Sequence, residues 1–333
     1  MKVKATWFNT YIFTIVSLLV FITVIYNITY YEQALPCNAI LNKYVSSRGI
    51  LQSCDVHSKN PVSSTKTFDI DISKIENFST VYITASAIPT FAESLNKIDS
   101  KFILVSGDCD ESVPDMIFNE NSFLKFIESD KIICWFTQNC TRVHPKLIPI
   151  PIGLDYHTLS KSSMVWGKQK GAEIQERELV SIKEASLPFY KRKISCYSNF
   201  HFNKSKQHAF TYDRDDAISL IPKELVYYEP KPIPRYDSWN HQAEYAFVVS
   251  PHGNGLDCHR TWEALILGCI PIVKTSTIDS LYDNLPVLIV DRWSDVSIEL
   301  LEKTVIMFKT MNFEYDKLTL KYWVDKIQDA KNV

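Results

Sequence analysis

Six polar side chains crowd one short stretch of the chain: His252, Asn254, Asp257, His259, Arg260 and Glu263. Ser250, Pro251, Gly253 and Gly255 stand among them, between an apolar run at residues 247–249 and a helical pattern that begins near Cys258. Gly253 and Gly255 would supply the positive-φ backbone of a tight turn. Asp257 would cap the helix, and Gly268 would stand just past its end. Such a turn aims free backbone N–H groups and the positive end of a helix dipole at one spot, which suits a phosphate. Arg260 adds a forked donor for phosphate oxygens, and Glu263 can accept hydrogen bonds from sugar or ribose hydroxyls. At helical spacing Cys258, Trp262, Leu265 and Cys269 share an apolar side, whereas His259, Arg260 and Glu263 share another arc facing the mouth of the turn. Lys274, after the extended run 270–273, would bring a further charge near the phosphates. The plainer alternative is a capped helix carrying a surface Arg260–Glu263 pair. Three of the chain's eight glycines fall within residues 247–273, which favours the functional reading.

Two other groups of residues could do chemistry. The apolar run 102–105 leads into Asp108-Cys109-Asp110, a carboxylate pair whose spacing can hold a divalent ion against a diphosphate. Its alternative is a turn in which Asp108 caps backbone N–H groups. In Pro149-Ile150-Pro151-Ile152-Gly153-Leu154-Asp155-Tyr156-His157, Gly153 turns the chain and two proton-transfer groups follow. Two apart, Asp155 and His157 would share one face of an extended segment, and either could be a general base. The alternative is a turn with a polar cap. Gln138, within Trp135-Phe136-Thr137-Gln138-Asn139, could line an acceptor site. His144, His201, His208 and His241 show no metal-ligand spacing, and Cys258-His259 lacks the partners of a zinc site. No nucleophile elbow or Walker motif occurs.

These residues need a scaffold, and the pattern predicts one of α/β type. Short apolar runs at 81–84, 102–105 and 132–136 read as buried parallel strands, with helical spacing at 91–98 and 123–127. Residues 148–152 carry two prolines and read as an edge or crossing segment; 173–185 reads as a charged helix. A second α/β unit begins near residue 193. It has strands expected at 194–197, 225–228, 247–249, 270–273 and 287–290. Its helices are expected at 215–221, 237–245, 258–267, 278–282, 297–308 and 315–327. In doubly wound sheets ligands bind beyond the C-terminal strand ends, where the turn at 250–257 would lie.

The 333 residues suffice for two domains. A net charge of −2 gives no reason to expect nucleic acid. Residues 8–30 carry no charge and are long enough to cross a bilayer. Lys2 and Lys4 precede them and Glu32 follows, so the positive-inside rule leaves the N-terminus cytoplasmic and the body lumenal. A cleaved signal peptide would need a shorter apolar core and small residues before the cut. Eight cysteines are compatible with disulfides in such a body, Cys37 with Cys54 first among the pairs, while Cys258 and Cys269 read as buried thiols. Asn77-Phe78-Ser79, Asn139-Cys140-Thr141 and Asn203-Lys204-Ser205 have the form of glycosylation acceptors.

The run Ser250-Pro251-His252-Gly253-Asn254-Gly255-Leu256-Asp257-Cys258-His259-Arg260-Thr261-Trp262-Glu263-Ala264-Leu265 resembles the C-terminal signature of exostosin-like glycosyltransferases, family 47. Gly268-Cys269-Ile270-Pro271-Ile272-Val273, Leu285-Pro286-Val287 and Trp293 continue the likeness, which is close over residues 235–300 and loose over 80–235. The resemblance implies a GT-B-like fold of two Rossmann-like domains facing a cleft. It further implies a nucleotide-sugar donor held by the C-terminal domain, and inverting transfer without a metal or other cofactor. It also implies that the Asp108/Asp110 loop faces the cleft from the acceptor side. Because the family-like segment 149–157 centres on Asp155, that residue is the preferred base, with His157 as its orienter.

The resulting expectation is a single-pass type II protein of the Golgi or ER membrane, a hexosyl- or pentosyltransferase acting on a glycan acceptor carried by protein or lipid. Its parts are a tail (1–7), a transmembrane anchor (8–30), a stem with little regular structure (31–66), an acceptor-side α/β domain (67–190), a donor-binding α/β domain (191–312) and a C-terminal helix (313–333). The alternatives are a GT-A-like, metal-dependent transferase built on Asp108 and Asp110, and a catalytically silent glycan-binding membrane protein.

Overall fold

The computed structural model describes residues 37–200 and 210–332. The expected anchor at 8–30, its flanking Lys2, Lys4 and Glu32, and His201, Asn203 and His208 lie outside the described residues. Among the described residues no helix is long and apolar enough to cross a membrane.

Two parallel sheets give a Rossmann-like α/β architecture. The first unit runs α1 (Ser47–Ser53), β1 (Thr80–Thr84), α2 (Ile88–Ala92), β2 (Phe102–Gly107), α3 (Glu120–Ile127), β3 (Ile132–Thr137), β4 (Leu147–Pro149), α4 (His157–Lys161) and α5 (Ala172–Ala185). Its strands lie in the order β1-β2-β3-β4. β2 is buried along its whole length, as a continuous apolar run between two covered faces must be. Pro149 ends the edge strand β4, where a missing N–H costs the sheet least.

The second unit runs β5 (Lys193–Ser198), α6 (Thr211–Leu220), β6 (Val226–Tyr228), α7 (Arg235–Gln242), β7 (Tyr245–Val249), α8 (His259–Ile266), β8 (Ile270–Lys274), β9 (Leu288–Val290) and α9 (Ile298–Phe308). Its order is β6-β5-β7-β8-β9. The chain leaves β5 on one side for β6 and returns on the other with β7. A sheet that reverses direction in this way opens a crevice beyond the C-terminal ends of the two strands involved.

The last helix, α10 (Leu320–Asp329), packs back on the first unit. The Leu320 N–H donates to the Lys43 carbonyl at 2.8 Å, the Val45 N–H to the Leu318 carbonyl at 3.0 Å, and Lys331 pairs with Asp55 at 2.7 Å. One apolar cluster therefore runs from Ile50 through the first sheet to Trp262 in α8 and Trp323 in α10, and a second fills the space beneath the other sheet.

Three expectations need correction. Residues 37–66 are not a structureless stem: α1, capped by Ser46 Oγ, buries Ile50 and Leu51 against α10, a partner far away in sequence that local pattern does not reveal. Cys37 and Cys54 are not bridged; all eight cysteines are free thiols, and Cys54 Sγ donates back to the Ile50 carbonyl. The patterns at 91–98, 278–282 and 315–327 are partly 3-10 turns. The last is split at Thr319, whose hydroxyl caps α10 by accepting from the Tyr322 N–H.

Gly153 packs against Val45 of its own unit and meets His259 of the other. Its φ is +63°, and a Cβ there would stand 2.2 Å from the Val45 carbonyl oxygen. Gly153→Ala should destabilise the protein by more than about 1–2 kcal/mol, the cost of a left-handed non-glycine residue alone. Chemical denaturation with an unchanged m-value would measure it; an unaffected midpoint would refute the account.

Candidate functional site

The loop between β7 and α8 is fastened on every side. The Ser250 N–H extends the sheet by donating to the Ile272 carbonyl, and its Oγ meets Thr261 Oγ1 at 2.8 Å. The His252 N–H donates to Asp213 Oδ2 at 2.8 Å, while Asp213 Oδ1 accepts from Trp293 Nε1 at 2.7 Å and lies 3.7 Å from Lys274 Nζ. Asn254 Nδ2 reaches across to Asp110 Oδ2 at 3.0 Å. Asp257 is buried. Its carboxylate accepts from the N–H groups of Ile152 and Cys258 at 2.8 Å and from Trp262 Nε1 at 2.9 Å. Burial pushes its pKa up, and these donors pull it back.

Two local expectations are thereby revised. Cys258, not Asp257, occupies the cap position of α8, because Asp257 turns inward to Trp262 and the other unit. Gly253 and Gly255 do not have positive φ; among the described glycines that conformation occurs at Gly153, Gly167 and Gly268. Gly255 is needed for space instead, since a Cβ would stand 2.8 Å from Asn139 Nδ2 and 3.0 Å from the Asp110 carbonyl oxygen.

His259, Arg260 and Glu263 do face a cavity of about 520 Å³ at the C-terminal ends of β5, β6 and β7. Asn199 and Phe200 follow β5 in its wall, Glu229 follows β6, and Trp166 lies at its rim from the first unit. These residues, with Ser238 and Arg235 of α7, were missed in the sequence. The signal was there: each of Asn199 and Glu229 stands just past a strand candidate, the position already used to single out Ser250. Of the other expected donor-site residues, Ser250, His252, Gly253, Asn254, Gly255, Asp257 and Lys274 build the loop and its supports rather than the cavity wall.

A charged cluster crosses from unit to unit beside this cavity. Arg235 NH2 lies 2.9 Å from Asp155 Oδ2, its NH1 donates to the Asp155 carbonyl at 2.6 Å, and its Nε lies 3.8 Å from Glu263 Oε1. Asp155 Oδ1 stands 3.1 Å from His157 Nδ1 and also accepts the Thr158 N–H, because His157 opens α4 instead of continuing an extended strand. The rings of His157 and His259 are 6.5 Å apart, and His259 Nδ1 meets the Gly153 carbonyl at 2.6 Å. Burial alone would raise the Asp155 pKa; Arg235, then His157 and His259, outweigh it and hold the carboxyl well below the usual range. Burial pushes the His157 pKa down, and Asp155 pulls it partly back.

Asp108 is buried against Arg48 at 3.0 Å and accepts from Ser63 Oγ. Gln138 is buried as well: its amide donates to Ser47 Oγ and the Pro151 carbonyl and accepts from the Asp108 N–H. Among the described residues no group of three His, Cys, Asp or Glu side chains is placed to hold a metal ion.

The Asp155–Arg235 pair sets an acid dependence. A depressed carboxyl pKa contributes stability that is fully present above the unfolded value of about 3.9 and is lost as pH falls through the folded value. Wild type should therefore lose stability more steeply below about pH 4 than Asp155→Asn. At neutral pH, Arg235→Met should cost about 3–5 kcal/mol by leaving a buried charge unpaired. Unfolding curves over a pH series would check both, and parallel acid slopes would count against the pair.

In comparison with known proteins, no family model matches this chain and no curated protein matches it.

Proposed function

We propose that this chain is a glycosyltransferase of GT-B-like arrangement. It would be a type II protein anchored in the Golgi or ER membrane, moving a sugar from a nucleotide-sugar donor to a glycan acceptor with inversion and without a metal. The observation that carries this reading is the 520 Å³ cavity at the strand-order reversal between β5 and β7, with Arg260 and Glu263 in one wall and the His157–Asp155 pair across the seam. The likeness of residues 250–273 to exostosin-like enzymes supports it.

The donor's diphosphate has a cationic place to sit. Arg214 of α6 and Arg260 both lie by the Phe200 ring, at 5.8 and 5.4 Å from its centroid. Burial, then the neighbouring Arg260, bring the Arg214 pKa down to about 10. Two cations held together against water favour an anion between them. Glu263 and Glu229 are acceptors suited to ribose or sugar hydroxyls. On this reading the acceptor hydroxyl loses its proton to His157 Nε2 as its oxygen attacks the anomeric carbon. The bond from that carbon to the diphosphate oxygen breaks, and the arginines stabilise the leaving charge.

The geometry favours His157 as base and Asp155 as orienter, the reverse of the expected roles. A carboxylate clamped by Arg235 is a weak proton acceptor. An imidazole whose pKa is lowered by burial is neutral near pH 7, and its Nδ1–H donates to Asp155, leaving Nε2 free for the proton. The buried Asp108–Arg48 pair leaves no open carboxylate pair at 108 and 110, which disfavours the GT-A-like alternative.

A panel of nucleotide sugars in a thermal-shift assay should contain one that raises the melting temperature. Arg260→Ala should lower kcat/KM by about 10²–10³-fold. His157→Ala should lower kcat by about 10²–10⁴-fold with donor affinity unchanged. Asp155→Asn should move the acid limb of the pH–rate profile to lower pH, because the Asp155 charge is what raises the His157 pKa. Activity should survive EDTA; loss on chelation with rescue by a divalent ion would return the reaction to Asp108 and Asp110. Folded protein with neither donor binding nor transfer would leave the glycan-binding reading.

A further inference from the structure

Two of the four Asn-x-Ser/Thr triplets, at Asn77 and Asn139, fall among the described residues, and their settings differ. Asn139 is 1% exposed. Its Oδ1 accepts from the Asp257 N–H at 2.9 Å, and its Nδ2 donates to the Cys109 carbonyl at 3.1 Å. Gly255 lies so near that Nδ2 that even a methyl group there would crowd it. A sugar on that nitrogen would occupy the contact between the two units.

Asn77 is exposed, in the turn that leads into β1. Its Oδ1 accepts from the Lys101 N–H at 2.9 Å, which fixes the carboxamide through its oxygen and leaves the nitrogen for modification. Phe78 holds φ at +66° and is 44% exposed, and Ser79 Oγ accepts from the Glu76 N–H at 3.1 Å. An open groove of about 830 Å³ adjoins the triplet, walled by Lys59, Asp69, Asp71 and Lys74 beside Phe78. Charged groups next to one exposed aromatic make a surface that sugar hydroxyls and a sugar's apolar face can both cover. The turn precedes the N-terminal end of β1, whereas Asp108 and Gln138 follow the C-terminal ends of β2 and β3. In a parallel sheet those are opposite edges, so a chain of sugars at Asn77 leaves the cleft open.

We infer that Asn77 carries an N-linked glycan in the folded protein and that Asn139 does not. The inference rests on the lumenal orientation proposed above. In the step itself, a membrane oligosaccharyl transferase brings up an oligosaccharide linked to a lipid diphosphate. Asn77 Nδ2 forms a bond to the anomeric carbon and gives up one proton to a base of that transferase. The carbon–oxygen bond to the diphosphate breaks, and the lipid diphosphate leaves with the electron pair.

The test uses the full chain expressed in eukaryotic cells, with peptide mass spectrometry before and after an N-glycosidase that converts a glycan-bearing Asn to Asp. Protease protection of sealed vesicles from the same cells reports orientation. The expected result is conversion at Asn77, none at Asn139, and loss of one glycan's mass in both Asn77→Gln and Ser79→Ala. A bare Asn77 in a chain whose body is protected overturns the inference while the orientation stands. So does a glycan on Asn139. A bare Asn77 in a chain whose body is digested without detergent overturns the orientation and this inference together.

Discussion

The carboxylate of Asp257 is the contact on which the arrangement of this protein depends. It lies at the seam of the two units, where Ile152 of the first supplies a backbone donor and Cys258, Trp262 and Tyr282 of the second supply the rest. Its own N–H is taken by Asn139 at 2.9 Å. A buried acid is tolerated only when its oxygens are fully engaged, and removing it would leave several buried donors without partners. Because the partners come from both sheets, the same group sets where the β7–α8 loop sits, how α8 leaves it, and how closely the units approach. The tight fit of Gly255 against Asn139 follows from that approach.

A second ionic cluster builds on this frame and turns it toward chemistry. Arg235 faces two acids, Asp155 at 2.9 Å and Glu263 at 3.8 Å. The unequal distances divide the work: the nearer carboxylate is held ionised and fixes His157, while the farther one stays in the wall of the cavity. One guanidinium thus ties the His157-bearing segment of the first unit to a carboxylate of the second. Arg235 also stacks by Trp239 at 5.9 Å, so its position is set by packing as well as charge.

Much of the scaffold was legible in the sequence, because strands buried on both faces read as unbroken apolar runs and α8 as an amphipathic repeat. The residues 102–105 and 247–249 became β2 and β7 with little adjustment. The Ser250–Glu263 stretch was also rightly placed at a strand end. What local pattern missed was pairing over distance. Nothing near Asp155 announces Arg235, nothing near His252 announces Asp213, and nothing in residues 37–54 announces α10. For the same reason the roles within the 153–157 segment were open: a carboxylate and an imidazole two residues apart are equivalent as candidates until a cation is seen beside one of them.

The two sheets use their C-terminal strand ends differently, and that difference gives the site its direction. After β2 and β3 the first unit engages Asp108 with Arg48 and Gln138 with Ser47 and Pro151, and turns Asp110 and Asn139 to Asn254 and Asp257 of the second unit. After β5 and β6 the second unit sets in the cavity wall Asn199, which donates to Ser238 Oγ, and the buried Glu229, which accepts from the Tyr197 hydroxyl. A cavity formed mainly by one unit suits a ligand that must stay bound through the reaction, as the proposed donor must. From the first unit Trp166 joins the wall of that cavity, and the segment from Gly153 to His157 lies beside it, against His259 and Arg235. That segment is held by the Val45 carbonyl bond to Leu154, by the His259 contact with Gly153 and by Arg235 on Asp155. Two of these three restraints come from the second unit. The segment that carries Asp155 and His157 on the first unit is therefore tied to the unit whose residues line most of the cavity.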